Sequence, residues 1–170
     1  PKGSGGMPPS TGVSVSPPSK AAPSAGRDGD GGSGQAETVL SSGTGFSVST
    51  AGHVVTNVHV VEGCSSAMVR KDGETARPAE ILARDVRNDI ALLRSEVNAP
   101  PLPLRFGVKL GENVAAFGFP HLGTMSSSGN FTTGNITSLA GLRDDTSMLT
   151  MSAPVQEGNS GGPLVDFSGA

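Results

Sequence analysis

The sequence predicts an all-β protein, a barrel or sandwich, and three observations carry that prediction. Short apolar runs recur at a spacing of about 8–12 residues, broken by Gly, Pro, Asn and Asp. Turn residues with a stereochemical reason stand between them. Ala51-Gly52 and Lys71-Asp72-Gly73-Glu74 place glycine or aspartate where the chain must reverse. Helical periodicity is scarce, and Val58–Glu62 alone offers about one turn.

The elements follow in order. Residues 1–36 stand apart: Gly, Pro and Ser supply 22 of the 36, and the apolar residues beyond alanine are Met7, Val13 and Val15. So little apolar surface does not offset the entropy of ordering a chain, so a disordered linker is expected. Its glycines do not form a phosphate loop, because no Gly-Lys-Ser/Thr follows them. From Glu37 the texture changes. Val39–Ser42 and Thr44–Ser49 read as strands around Gly43, and His53–Thr56 returns from the Ala51-Gly52 hairpin. Ser65–Arg70, Ala79–Ala83 and Ile90–Arg94 are the next strands. The stiff run Asn98-Ala99-Pro100-Pro101-Leu102-Pro103 marks a boundary, giving lobes at 37–100 and 101–170. Asn113–Gly118, Phe131–Leu139, Met148–Ser152 and Leu164–Asp166 complete the strands of the second lobe.

Bulk properties narrow the function. Residues of the apolar set make up 35% of the 170, and 25 glycines bring the total near the globular norm, enough for a core. A net charge of −3 argues against a nucleic-acid groove or an anionic membrane surface as the main partner. No apolar run approaches the ~18 residues of a membrane-spanning helix, so no membrane insertion is expected. Cys64 is the sole cysteine, so an internal disulfide is ruled out, and it reads as a small semi-buried apolar residue. His53, His59, His121 and Cys64 lack His-Glu-x-x-His or paired-cysteine spacing, so neither a metal nor a cofactor is expected. His121 reads as a loop residue, and Met125–Gly129 as a surface loop.

Three segments carry chemistry. Val54-Val55-Thr56-Asn57-Val58-His59 runs a strand into a polar pair and then a histidine. Asn88-Asp89-Ile90-Ala91-Leu92-Leu93 sets a carboxylate against apolar residues, where it needs a partner such as a histidine N–H. Gly158-Asn159-Ser160-Gly161-Gly162-Pro163 puts a serine in a tight turn without bulky neighbours. There the main-chain N–H groups can converge beside its hydroxyl, as acyl transfer requires. Each segment alone also has a plain reading: a structural histidine, a solvated strand-end aspartate, a glycine-rich turn. Together, in the chain order His59, Asp89, Ser160, they match one known arrangement of a Ser-His-Asp triad.

These blocks resemble the active-site segments of trypsin-like serine peptidases, most closely the bacterial HtrA/Deg-type branch. Gly43-Thr44-Gly45-Phe46, Val114–Pro120 and Gly134-Asn135-Ile136-Thr137-Ser138-Leu139 match in style, so the resemblance covers residues 37–169. It implies two perpendicular antiparallel β-barrels with the site between them. It also implies a second barrel left incomplete at Ala170, because the family continues with further strands. The implied activity is peptide-bond hydrolysis on a protein or peptide substrate. Ser160 would be the nucleophile, His59 the base and Asp89 its orienting partner. The backbone N–H groups of Gly158 and Ser160 would form the oxyanion hole. Pro154, six residues before Ser160, and Val155 would floor the primary pocket. Both are uncharged, which favours a small or aliphatic residue over Lys or Arg. Asn159 replaces the aspartate of digestive relatives and cannot anchor an ammonium, so no activation by N-terminal insertion is expected. The resemblance also implies a periplasmic or secreted location. The competing readings are a non-catalytic module of the same fold that binds or senses peptides, a fragment inactive through truncation, and a relative that uses the same triad on esters alone.

Overall fold

The computed structural model describes residues 12–16, 41–119 and 129–170. His121 and most of the Met125–Gly129 loop lie outside these residues. Among the described residues the fold is all-β, and the one helical segment is a short 3-10 turn at Leu142–Asp144. No helix is long and apolar enough to cross a membrane.

Six strands form a closed first barrel: β1 (Gly12–Ser16), β2 (Gly43–Ser47), β3 (His53–Thr56), β4 (Ala67–Lys71), β5 (Arg77–Asp85) and β6 (Ile90–Ser95). Their order around the barrel is β1-β2-β3-β6-β5-β4, all antiparallel neighbours. Alternation in β3 and β6 explains the pairing. Val54, Ala91 and Leu93 point inward and are at most 1% exposed, while partners along each strand face out. With Val58, Val60, Val61, Ala67, Val69, Ala79, Val97 and Ala99 they make the barrel core. The side chains are small and mostly β-branched, which suits the tapering interior of a narrow barrel.

One expectation is corrected here. Residues 12–16 fall within the stretch read as a disordered linker, yet they form β1. That strand pairs with β2 through Val13↔Gly45 and with β4 through Val15↔Val69, so it closes the barrel. The local sequence Gly-Val-Ser-Val-Ser alternates as a strand does, a signal that composition averaged over 36 residues conceals. Two smaller differences concern boundaries. Of the strand expected at Val39–Ser42, Val39 and Leu40 lie outside the described residues, and Ser41 and Ser42 are not in a strand. Val58–Glu62 is a hydrogen-bonded turn (Val61 N–H to Val58 O, 2.9 Å) and not a helix.

The second region is an open four-stranded sheet in the order β10-β7-β8-β9. Its strands are β7 (Asn113–Gly118), β8 (Asn130–Ser138), β9 (Thr150–Met151) and β10 (Leu164–Asp166). Val114, Ala115, Ala116, Phe119, Ile136 and Ala153 are its buried apolar residues. Phe117 and Phe119 meet edge to face at 5.3 Å. The run from Asn98 to Pro103 connects the two regions without a strand, as its prolines predict.

Candidate active site

His59 sits in the turn that follows β3, and Asp89 stands immediately before β6. The two strands pair through Thr56↔Ala91, so their ends deliver the two residues to the same place. Contact is made at two points. Asp89 Oδ2 lies 2.6 Å from His59 Nδ1, and Asp89 Oδ1 accepts the His59 backbone N–H at 3.0 Å. The pair is half exposed, at 50% and 45% of the side-chain surface, so the ring keeps an open edge. Partial burial alone would raise the Asp89 carboxyl. The hydrogen bonds from the His59 backbone and ring outweigh that, and the carboxyl sits below its usual range.

The backbone of Asp89 is itself unusual, with φ of 54° in the left-handed region. Aspartate tolerates this better than most residues. Its carbonyl is held by two donors, Asn57 Nδ2 at 2.7 Å and the Val58 N–H at 3.3 Å. Asn57 thus positions Asp89 from the histidine's own turn. Sequence reasoning treated Asn57 only as part of a motif. The signal available was its place two residues before His59, where a side-chain amide can reach the neighbouring strand end.

Ser160 lies in a turn closed by two hydrogen bonds, Asn159 N–H to Gln156 O at 3.0 Å and Gly162 N–H to Asn159 O at 2.8 Å. The Gly158 and Ser160 N–H groups have no acceptor among the described residues. Gly158 has φ of 95°, a conformation that disfavours any side chain. Gly161, at φ 81°, is packed so closely that a Cβ would lie 2.2 Å from Thr56 Oγ1 and 2.8 Å from the Asn57 backbone nitrogen. The serine turn therefore rests directly on the strand end that carries His59. The turn is also tied to β2, since the Thr44 N–H donates to Ser160 O at 2.8 Å. In this way the fold brings the His59, Asp89 and Ser160 segments together across the two regions.

Asn159 is covered more fully than its sequence position suggests. Both polar atoms of its side chain are shielded and lack a partner among the described residues, and the amide packs against Gly118. Pro154 and Val155 follow β9 at the surface, with Val155 53% exposed, so the described residues do not wall them in. Cys64 is half-buried, and Arg84 donates to its backbone carbonyl at 2.8 Å. No three His, Cys, Asp or Glu side chains gather as a metal site would need among the described residues.

Known proteins resemble this chain over most of its length. Residues 43–170 match the trypsin-like peptidase domain family. The chain is 37% identical over 141 residues to a probable periplasmic serine endoprotease, DegP-like, of Brucella suis, covering 78% of this chain and 27% of that protein. It is 35% identical over 150 residues to the chloroplastic Protease Do-like 1 of Arabidopsis thaliana, covering 78% and 32%. It is 52% identical over 130 residues to the protein y4bJ of Sinorhizobium fredii, covering 76% and 21%. The chain thus spans less than a third of the length of these curated relatives. The crystal structure of a serine endoprotease from Yersinia pestis superposes with a TM-score of 0.70 at 26% identity, over 94% of this chain and 50% of that one. The chain belongs to the trypsin-like peptidase family, as a serine-protease-type domain similar to the HtrA/DegP branch.

Proposed function

We propose that the domain is a serine endopeptidase acting through Ser160, His59 and Asp89 and an acyl-enzyme intermediate. The observation that carries this reading is the two-point contact between Asp89 and His59. A carboxylate held below its usual range is ionised at neutral pH and accepts the Nδ1–H of the ring. That leaves the lone pair on Nε2, at the open edge. Nε2 would take the proton of Ser160 as Oγ attacks the scissile carbonyl, and would return it to the leaving amine. The Gly158 and Ser160 N–H groups would receive the developing oxyanion. Losing one such donor typically costs about 3–4 kcal/mol of transition-state stabilisation. Water then attacks the ester by the same route in reverse.

The substrate is a protein or peptide, and no cofactor takes part in these steps. Uncharged Pro154 and Val155 favour a small or aliphatic residue at the cleavage position. The names of the Brucella relatives support a periplasmic or secreted setting. Neutral Asn159 argues against activation through a new N-terminus.

A fluorophosphonate probe tests the reading, because it needs the nucleophile, base and oxyanion hole but little of the substrate pocket. Labelling of the protein that disappears in Ser160→Ala is the expected result. An unlabelled wild type would instead favour the non-catalytic peptide-binding reading.

A further inference from the structure

Thr44 belongs to β2, in the first barrel, and is fully buried. Every polar group it owns is engaged, two of them with the serine turn and the others with Phe119 and Thr56. Its hydroxyl donates to Gly158 O at 2.7 Å and accepts the Phe119 N–H at 2.8 Å. Its N–H donates to Ser160 O at 2.8 Å. Its carbonyl accepts the Thr56 hydroxyl at 2.6 Å. The direction of the hydroxyl proton follows from chemistry. An amide N–H can only donate, so the Phe119 contact uses a lone pair of Oγ1 and leaves the hydroxyl proton for the Gly158 carbonyl.

We propose that Thr44 is a positioning residue that shapes the nucleophile turn from the opposite lobe. The need for it lies in Gly158. A glycine at φ 95° has no side chain to restrict its rotation, so its own peptide planes are held only by outside contacts. Peptide groups are planar, so anchoring the Gly158 and Ser160 carbonyls restrains the Gly158–Asn159 and Ser160–Gly161 planes, which bracket the plane that carries the Ser160 N–H. The turn is thereby restricted in how far its N–H groups can swing. Thr56 extends the connection. It stands three residues before His59, and its hydroxyl bond to Thr44 O links the histidine strand to the serine turn. Close contact accompanies these bonds: a Cβ on Gly43 would lie 2.8 Å from Ser160 O.

Valine has the shape of threonine without the hydroxyl, so Thr44→Val separates space-filling from hydrogen bonding. It leaves the Gly158 carbonyl and the Phe119 N–H without their buried partner. This inference rests on the serine-nucleophile reading, and the experiment separates the two. Fluorophosphonate labelling rates are measured for wild type, Thr44→Val and Thr44→Ser as a function of pH, with amide hydrogen exchange over residues 157–162. Expected are a fall of about 10- to 100-fold in Thr44→Val and recovery to within about threefold in Thr44→Ser. The pH midpoint stays unchanged, because Thr44 does not touch His59. Faster exchange over 157–162 in Thr44→Val, with β5 and β6 still protected, is also expected. A wild type that labels together with a Thr44→Val that labels equally fast overturns the positioning role and leaves the nucleophile reading intact. A wild type that does not label sinks the nucleophile reading. Exchange then decides the anchor, and unchanged exchange in Thr44→Val overturns it.

Discussion

The first barrel closes on itself, while the second region is a four-stranded sheet whose outer strands have no further partner among the described residues. The two hold their proposed functional residues by different means. His59 and Asp89 flank paired strands of one barrel, and side-chain and backbone hydrogen bonds join them directly. Ser160 sits in a turn next to the open sheet, and much of what holds it comes from across the boundary, through Thr44, Thr56 and Asn57. The histidine–aspartate pair is thus a property of one lobe, whereas the shape of the serine turn belongs to the contact between lobes.

The largest effect expected from this contrast is on chemistry. Asp89→Asn keeps the shape of the first barrel but removes the charge and the preference for one ring tautomer. Fluorophosphonate labelling should fall by about four orders of magnitude, as in the general triad template. Urea unfolding should change little beside that. A variant that labels within about tenfold of wild type would break the assignment of Asp89 as the orienting carboxylate.

Packing should come next. Leu93 is 0% exposed in the closed barrel, whereas Leu164 is 36% exposed on edge strand β10. Leu93→Ala should lower stability by about 2–5 kcal/mol through lost burial and a cavity. Leu164→Ala should cost under about 1 kcal/mol. Equal losses in denaturant titration would mean that the second region is packed as tightly as the first.

The smallest effect concerns acid. Arg105 bridges Glu112 at 2.6 Å and Asp166 at 2.5 Å, beside the second sheet. Hydrogen bonds from Ser168, the Ala170 N–H and Arg105 hold the Asp166 carboxyl well below its usual range. Arg105 and the Lys109 N–H do the same for Glu112. A depressed carboxyl stabilises the fold above its unfolded pKa of about 4 and loses that contribution as pH falls through the folded value. Asp166→Asn should therefore flatten the decline of the urea midpoint between about pH 5 and pH 2. Parallel curves for the two proteins would remove this cluster from the account of the second region.

Much of this molecule is legible in its sequence, and the limits are physical. Asn113–Gly118 and Leu164–Asp166 are strands at the predicted boundaries, because alternation and flanking turn residues mark them locally. Leu93 was readable as buried from its run of apolar neighbours. Strand β1 is obscured, because its Val-Ser alternation lies in a Gly/Pro/Ser-rich stretch and its ladder partners stand 28 to 58 residues away. The turn at Val58–Glu62 carries helix-compatible residues but is shaped by the Asp89 carbonyl that binds the Val58 N–H.

The groups proposed to react are readable in the sequence alone. Residue types able to act as nucleophile, base and orienting acid stand at His59, Asp89 and Ser160, with glycines where a turn needs them. Chemistry of that kind is a property of side chains and needs no fold to be recognised. How these groups are held depends on contacts formed in the folded chain. The left-handed backbone of Asp89, the Asn57 amide on its carbonyl and the Thr44 anchor all depend on hydrogen bonds between residues far apart in the chain. Such bonds have no local signature, because direction and distance in three dimensions set them.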